Sequence, residues 1–192
     1  MQPLILASSS RYRQELLSRL GLPFTAIAPQ VDESPLPGET ATATCERLAL
    51  AKARKVAESH PAALVVGSDQ VALLDGCQVG KPGNHDNALR QLRAASGREV
   101  IFHTALCLVD AATGRQWCDR VDVVVRYRVL TEEVIERYLR ADQPYDCAGS
   151  GRIETLGITL VEAVKSEDPT ALIGLPLIAL TTLLQQAGIQ VP

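Results

Sequence analysis

The chain has 192 residues, 46% of them hydrophobic and 21% charged, the composition of an ordinary globular protein with length enough for one well-cored domain and too little for two comfortable ones. Nineteen basic and 22 acidic residues leave a net charge of -3, which argues against a broad electrostatic grip on nucleic acid but leaves room for a small cationic pocket around one phosphate-bearing ligand. The five cysteines, Cys45, Cys77, Cys107, Cys118 and Cys147, have none of the close spacings of zinc ribbons or thioredoxin-like sites, and an odd, scattered set predicts reduced thiols in a cytoplasmic protein. The opening run from Met1 to Ala7 has no basic region and is too short to read as a signal peptide. No stretch approaches the ~20 apolar residues of a membrane span, so a soluble, intracellular protein is expected.

In chain order, Leu4 to Ala7 predicts a short buried strand. Serines 8 to 10 then open a helix with an apolar stripe of Leu16, Leu17 and Leu20, stopped by Gly21. Pro29 to Pro37 is a surface loop. Ala41 to about Ser59 predicts a second amphipathic helix. Leu64 to Leu74 is a mostly apolar strand ending in Asp75-Gly76, a hairpin signal. Asn84 to Ala95 is helical. Val100 to Val109 and Trp117 to Val129 predict long strands around a turn at Asp110 to Gly114. Thr131 caps a helix running to Arg140, and Leu175 to Ala187 is the last helix. Alternating strands and helices with hairpins mixed in predict a single α/β domain over residues 1–192, built on a mixed, twisted sheet flanked by helices.

Several chemistries are excluded by what is missing. Gly76 to Gly80-Lys81 encloses one residue too few for a P-loop, and Pro82 follows instead of Ser or Thr. Gly149-Ser150-Gly151 lacks the third glycine of a dinucleotide fingerprint. His60, His85 and His103 have no metal-ligand spacing, and no Gly-x-Ser-x-Gly elbow exists.

Three places carry a positive signal. At Ala7-Ser8-Ser9-Ser10-Arg11-Tyr12-Arg13 a strand gives way to three hydroxyls and a helix start with two arginines, and a helix N-terminus suits phosphate. The bland alternative is one capping serine and two solvated arginines. Lys52 falls in the middle of the stripe Cys45, Leu48, Ala49 and Val56, where it must either snorkel or meet a buried anion. Asp69 interrupts an otherwise core strand, which is costly unless the carboxylate is paired, hydrogen-bonded or metal-bound. The alternative is a structural ion pair with an arginine, while Gly67 beside it hints at close backbone approach. Lys81 and Glu33 taken singly read as solvated surface charges. With fifteen arginines and only four lysines, the retained lysines suggest positions where a compact ammonium is needed.

Together these residues resemble the Maf family of nucleoside triphosphate pyrophosphatases, nearly end to end. The markers are Leu4 to Arg13 with Leu16-Leu17, Val31-Asp32-Glu33, Ala51-Lys52-Ala53, Gly67-Ser68-Asp69-Gln70-Val71, Gly80-Lys81-Pro82, and Cys147-Ala148-Gly149-Ser150 with Gly157-Ile158. The fold this resemblance implies is a mixed α/β sheet bent around a deep cleft, like that of the inosine triphosphate pyrophosphatases. The implied reaction is hydrolysis between the α and β phosphates of a nucleotide, with Mg²⁺ or Mn²⁺ as cofactor held by Glu33 and Asp69. Asp69 is the implied catalytic base, and Ser8, Arg13, Lys52 and Lys81 bind the phosphate chain.

Within the family, the branch acting on dTTP and UTP usually has Thr after the aspartate and Arg at position 12. The branch this sequence is similar to acts on 7-methyl-GTP and carries an aromatic residue, Gln and Glu at Tyr12, Gln70 and Glu154. A cationic 7-methylguanine would be repelled by Arg at position 12 and attracted by Tyr12, a contact worth ~0.5–2 kcal/mol. Glu154 can accept the purine N1 and N2 hydrogens, and Gln70 can supply an amide to the base edge. Many relatives have Pro at position 11, where this chain has Arg11, so the phosphate-facing arginine is Arg11 or Arg13, with Arg13 at the motif position. The expected partner is a small-molecule nucleotide, with no nucleic acid and no membrane, and with a homodimer left open. Pyrophosphatase action on dTTP, UTP or another modified nucleotide, a nucleotide-binding regulator of cell division, and a structural interaction module are the rival readings.

Overall fold

A computed structural model describes residues 2–191. Its described residues contain five α-helices and one seven-stranded mixed sheet. The elements are β1 (Leu4–Ala7), α1 (Arg11–Ser18), β2 (Phe24–Ile27), α2 (Ala41–Ala57), β3 (Leu64–Leu74), β4 (Cys77–Val79), α3 (His85–Ala95), β5 (Glu99–Asp110), β6 (Gln116–Tyr127), α4 (Glu132–Asp142), β7 (Val161–Lys165) and α5 (Leu177–Gln186). The strand order is β2-β1-β3-β5-β6-β7, with β4 paired to β3 off this path. β1 lies parallel to both β2 and β3, whereas β3–β4 and β6–β7 are antiparallel. The α/β reading with a mixed sheet is borne out. None of the described helices is long and apolar enough to cross a membrane.

The helices begin where side-chain oxygens can accept orphan backbone N–H groups. Ser10, Thr40, Asn84 and Thr131 cap α1, α2, α3 and α4 in this way. Asp75 and Gly76 both take positive φ, 50° and 78°, the requirement of a tight hairpin turn between β3 and β4.

Two compact units form. The first comprises the chain up to Gln70, Thr104–Val121 and the chain from Asp168 onward, and the second comprises Val71–His103 and Asp122–Glu167. In the first unit, strand alternation divides the core between two clusters. Leu4, Leu6, Leu64, Val66, Leu106 and Leu108 pack with leucines of α1 and α5. Ile5, Ala7, Val65 and Val109 pack with Ala53 and Val56 of α2. Each fully buried leucine contributes about 1.5–3 kcal/mol, so this unit is a firm platform for whatever its strand ends carry. In the second unit, Gly149 takes a φ of 71° with Phe102 against its α-carbon, and Tyr127 is buried with its hydroxyl against Gly151.

Two strands escape the sequence reading. β2 is four residues long and none of them is fully buried, so it shows no apolar run. β7 carries Glu162 and Lys165 and has a single buried residue, Val161. Both are edge strands, whose pairing is set by a neighbour and leaves little local pattern. The cysteine expectation needs correction as well. Cys107 on β5 and Cys118 on β6 are joined in a disulfide, because the turn between the two strands brings them side by side with α-carbons 4.1 Å apart. Only Cys45, Cys77 and Cys147 are free thiols.

Cys45 is buried, Cys77 is exposed, and Cys147 is half-buried with its thiol pushed up to about 11 by burial. Since the thiolate is the nucleophile, native alkylation should label Cys77 first and leave Cys107 and Cys118 unlabelled until a reductant is added. Peptide mapping that finds Cys118 alkylated without reductant would contradict the pairing.

Candidate active site

The site begins with a glycine. A β-carbon at Gly67 would lie 2.2 Å from the Ala49 carbonyl oxygen and 2.7 Å from the Ala53 nitrogen, so the backbone of β3 runs directly against that of α2. Only glycine permits that approach. Lys52 precedes Ala53 on the helix, and Asp69 follows Gly67 by two residues on the strand, hence on the same face. The close crossing therefore brings Lys52 Nζ to 2.7 Å from Asp69 Oδ1. Glu33, on the exposed loop before α2, reaches the same nitrogen from outside at 2.8 Å. Lys52 is 4% exposed and Asp69 6%. Both open questions about these residues close together: the lysine meets a buried anion instead of snorkelling, and the aspartate's partner is a lysine, not an arginine.

The carboxyl end of β1 supplies the second part. Leu6 pairs with Val66 in parallel register, so the chain leaves β1 about level with Ser68 and Asp69. Ser8 is buried there and its Oγ accepts the Ser10 amide at 3.1 Å. The first turn of α1 settles which arginine points inward. Arg13 is half-buried and donates through Nε to the Gly174 carbonyl at 2.8 Å. Arg11 is exposed, with its guanidinium 4.8 Å from the centre of the half-buried Tyr12 ring and 2.8 Å from the Tyr12 hydroxyl.

A third part went unread in the sequence: the segment from Asp168 to Gly174. The buried Asp168 carboxylate accepts the amides of Thr170, Ile178 and Ala179, answering free donors at the start of α5. Thus fixed, the segment presents carbonyls inward. Gly174, at a φ of 117°, receives both Arg13 Nε and Ser68 Oγ, the latter at 2.9 Å. Ala171 and Leu172 receive Gln70 Nε2 at 3.0 and 3.1 Å, and Thr104 Oγ1 receives it at 2.9 Å. Gln70's amide nitrogen is therefore spent on its own unit, and its carbonyl oxygen is what it can offer a ligand. No local pattern announces this segment: Asp168 stands well before Leu177, where α5 begins, and the residue at the cap position is Pro176.

Lys81 and Glu154 belong to the second unit. Lys81 is exposed on the loop after β4. That loop is anchored at the preceding residue, whose carbonyl accepts Gln91 Nε2 at 3.0 Å, while Gln91 Oε1 accepts the buried Ser150 hydroxyl at 2.5 Å. Glu154 is exposed, and partial desolvation pushes its carboxyl above the ordinary value.

The first-unit cluster is electrostatically tense. Burial raises the Asp69 carboxyl above its ordinary value and outweighs the opposing pull of Lys52 and Arg13, with Glu33 adding to the rise. Burial lowers Arg13, against the attraction of Asp69 and Glu33, yet a guanidinium remains charged. Lys52 and two carboxylates thus meet here, one carboxylate buried with its proton affinity raised and one in solvent, with Arg13 close enough to be attracted by both. Among the described residues no group of three or more His, Cys, Asp or Glu could hold a metal ion by itself. Glu33 and Asp69 nevertheless converge on a single cationic nitrogen, and two carboxylates suit a Mg²⁺-like ion that takes its remaining oxygens from phosphates and water.

The family model described as Maf-like protein matches residues 3–187. A Burkholderia thailandensis protein named 7-methyl-GTP pyrophosphatase is 59% identical over 188 residues, covering 96% of this chain and 87% of that one. Proteins of the same name from Thiobacillus denitrificans and Methylobacillus flagellatus are 56% and 55% identical, covering 98% and 100% of this chain and 94% and 100% of theirs.

The raised Asp69 carboxyl has a consequence for stability. A folded value above the unfolded one means the native state binds more protons, so this residue's contribution is full below the ordinary value of 3.8 and is lost as pH rises through the folded value. Asp69→Asn lacks that loss. Measured by thermal unfolding in chelator, the Tm of Asp69→Asn relative to the parent should climb as pH rises from below 3.8 toward neutrality. A relative Tm that falls over that window would mean ionised Asp69 is net stabilised by Lys52.

Proposed function

The chain belongs to the Maf-like protein family, and on that premise we propose that it hydrolyses 7-methyl-GTP between the α and β phosphates, giving 7-methyl-GMP and diphosphate. The observation that carries the reaction class is the buried Lys52 joined to both Asp69 and Glu33 beside Arg13, an arrangement that answers phosphate charge and attacking water in one place. The relatives' shared name supports the choice of substrate.

Glu33 and Asp69 are the residues that would hold Mg²⁺ or Mn²⁺, which when bound would neutralise phosphate charge and acidify a coordinated water. Asp69, whose carboxyl favours the proton more than an ordinary aspartate, takes the proton of the attacking water. Lys52 favours the ionised form of Asp69, against its burial, and donates to the leaving diphosphate. With Arg13 Nε committed to Gly174, the rest of its guanidinium fork grips phosphate oxygens. Ser8 accepts from the Ser10 amide and keeps its own hydroxyl proton for a phosphate oxygen. Lys81 and Glu154 are assigned to phosphate and base on the family motif alone.

For the base, Tyr12 stacks on the methylated ring through the face opposite Arg11. What the first unit offers the base edge is the Gln70 carbonyl oxygen, while Glu154 keeps, on the family motif alone, the role of accepting the guanine N1 and N2 hydrogens. Of the amide that Gln70 can supply, the oxygen is thereby the part used.

Diphosphate release from 7-methyl-GTP, GTP, dTTP and UTP, with and without Mg²⁺, tests the reading. The expected result is cation-dependent diphosphate release with the highest kcat/KM for 7-methyl-GTP. Tyr12→Ala should lose on the order of 1–2 kcal/mol, roughly five- to thirty-fold, of that preference. Asp69→Asn should bind nucleotide and retain less than about a tenth of kcat, a loss above ~1.4 kcal/mol. Release of single phosphate, or dTTP or UTP matching 7-methyl-GTP, would overturn the assignment of reaction or of base respectively.

A further inference from the structure

Glu33 lies on the loop that precedes α2. From Asp32 to Gly38 every residue is exposed, and Leu36 shows 54% of its surface. Besides the Glu33–Lys52 contact, the loop is tied to an arginine on α2. Arg47 Nε and Nη2 grip Glu39 at 2.6 and 2.8 Å, and the same Nη2 reaches the Ser34 carbonyl at 3.1 Å. Glu39 Oε2 also accepts the Leu36 amide and the Thr44 hydroxyl, both at 3.0 Å. Next to Glu33, Asp32 folds back to accept the Ser34 amide at 2.9 Å. The hydrogen bond from Arg47 holds the Glu39 carboxyl down at about 2, so the pair stays ionised at neutral pH. A planar fork on a carboxylate fixes direction as well as distance, and Ser34, the residue after Glu33, is bound to the same fork.

We propose that Arg47 and Glu39 form a positioning latch, which clamps the loop to α2 and so delivers Glu33 to the cation-binding position beside Lys52 and Asp69. This deepens the reading above and rests on its assignment of Glu33 as a cation ligand. Arg47 and Lys52 stand five residues apart on one rigid helix, so the helix that carries the buried ammonium also sets where the outer carboxylate arrives. Residues that orient a metal ligand typically govern 10–100-fold of metal affinity.

The test compares the parent, Arg47→Ala, Arg47→Lys, Glu39→Gln and Glu33→Gln, all without nucleotide. Mn²⁺ binding is followed by electron paramagnetic resonance, and amide exchange is followed at Ser34 and Leu36. In Arg47→Ala and Glu39→Gln, exchange should speed up in the loop alone and Mn²⁺ should bind about tenfold or more weakly. The Mg²⁺ concentration for half-maximal activity should rise likewise, with kcat at saturating Mg²⁺ within a few-fold of the parent. Arg47→Lys, which keeps the charge but not the fork, should recover only part of the loss. If Glu33→Gln weakens Mn²⁺ binding while both latch variants bind as the parent does, this inference is overturned and the functional reading survives. If Glu33→Gln itself leaves Mn²⁺ binding unchanged, the ligand assignment falls and the inference falls with it. Should Arg47→Ala fail to fold, Glu39→Gln alone decides between these outcomes.

Discussion

The contact between Lys52 and Asp69 is the interaction on which the rest depends. Two opposite charges taken out of water cost several kcal/mol each before their attraction is counted, and a lysine in an apolar helix stripe or an aspartate in a core strand would be a defect alone. Each is tolerated because the other is 2.7 Å away. That distance is set by the absent side chain of Gly67, which lets strand and helix backbones touch. Burial still tips Asp69 toward its protonated form, so the pair carries unrelieved tension, as functional sites commonly do.

Around this pair the first unit divides its labour. The apolar faces of β1, β3 and β5 hold α1, α2 and α5 in place. The polar groups gather where β1 ends and β3 passes Gly67. This follows the general habit of sheets with parallel strands to bind ligands beyond the carboxyl ends of those strands. The segment from Asp168 to Gly174 acts as a ruler. Pinned by its own carboxylate to the start of α5, it fixes the directions of Arg13, Ser68 and Gln70 through backbone carbonyls. Arg13 is held there through Nε, and Gln70 through its amide nitrogen.

Much of this was legible in the sequence for a physical reason: the informative residues break a local rule. Lys52 in an apolar stripe, Asp69 in a core strand and Gly67 beside it each contradict their surroundings, and contradictions of that kind mark sites. The serine cap of α1, the Thr131 cap of α4 and the Asp75-Gly76 turn were legible because they are local. Pairings between residues far apart in sequence were not. The edge strands β2 and β7 exist through their neighbours, the Cys107–Cys118 bond depends on strand register, and Gln70's amide is consumed by carbonyls about a hundred residues away. Glu33 looked like a solvated charge because nothing nearby in the sequence reveals that it reaches the Lys52 ammonium.

The central claim is that Lys52 and Asp69 work as one unit in catalysis and not as two separate contributors. A double-mutant cycle on kcat/KM for 7-methyl-GTP, with Lys52→Met, Asp69→Asn and the combined variant, measures this directly. Residues acting as a unit lose most of their effect at the first substitution, so the combined variant should be little worse than Asp69→Asn alone. Losses that instead multiply, each substitution costing the same whether or not the other is present, would contradict the account.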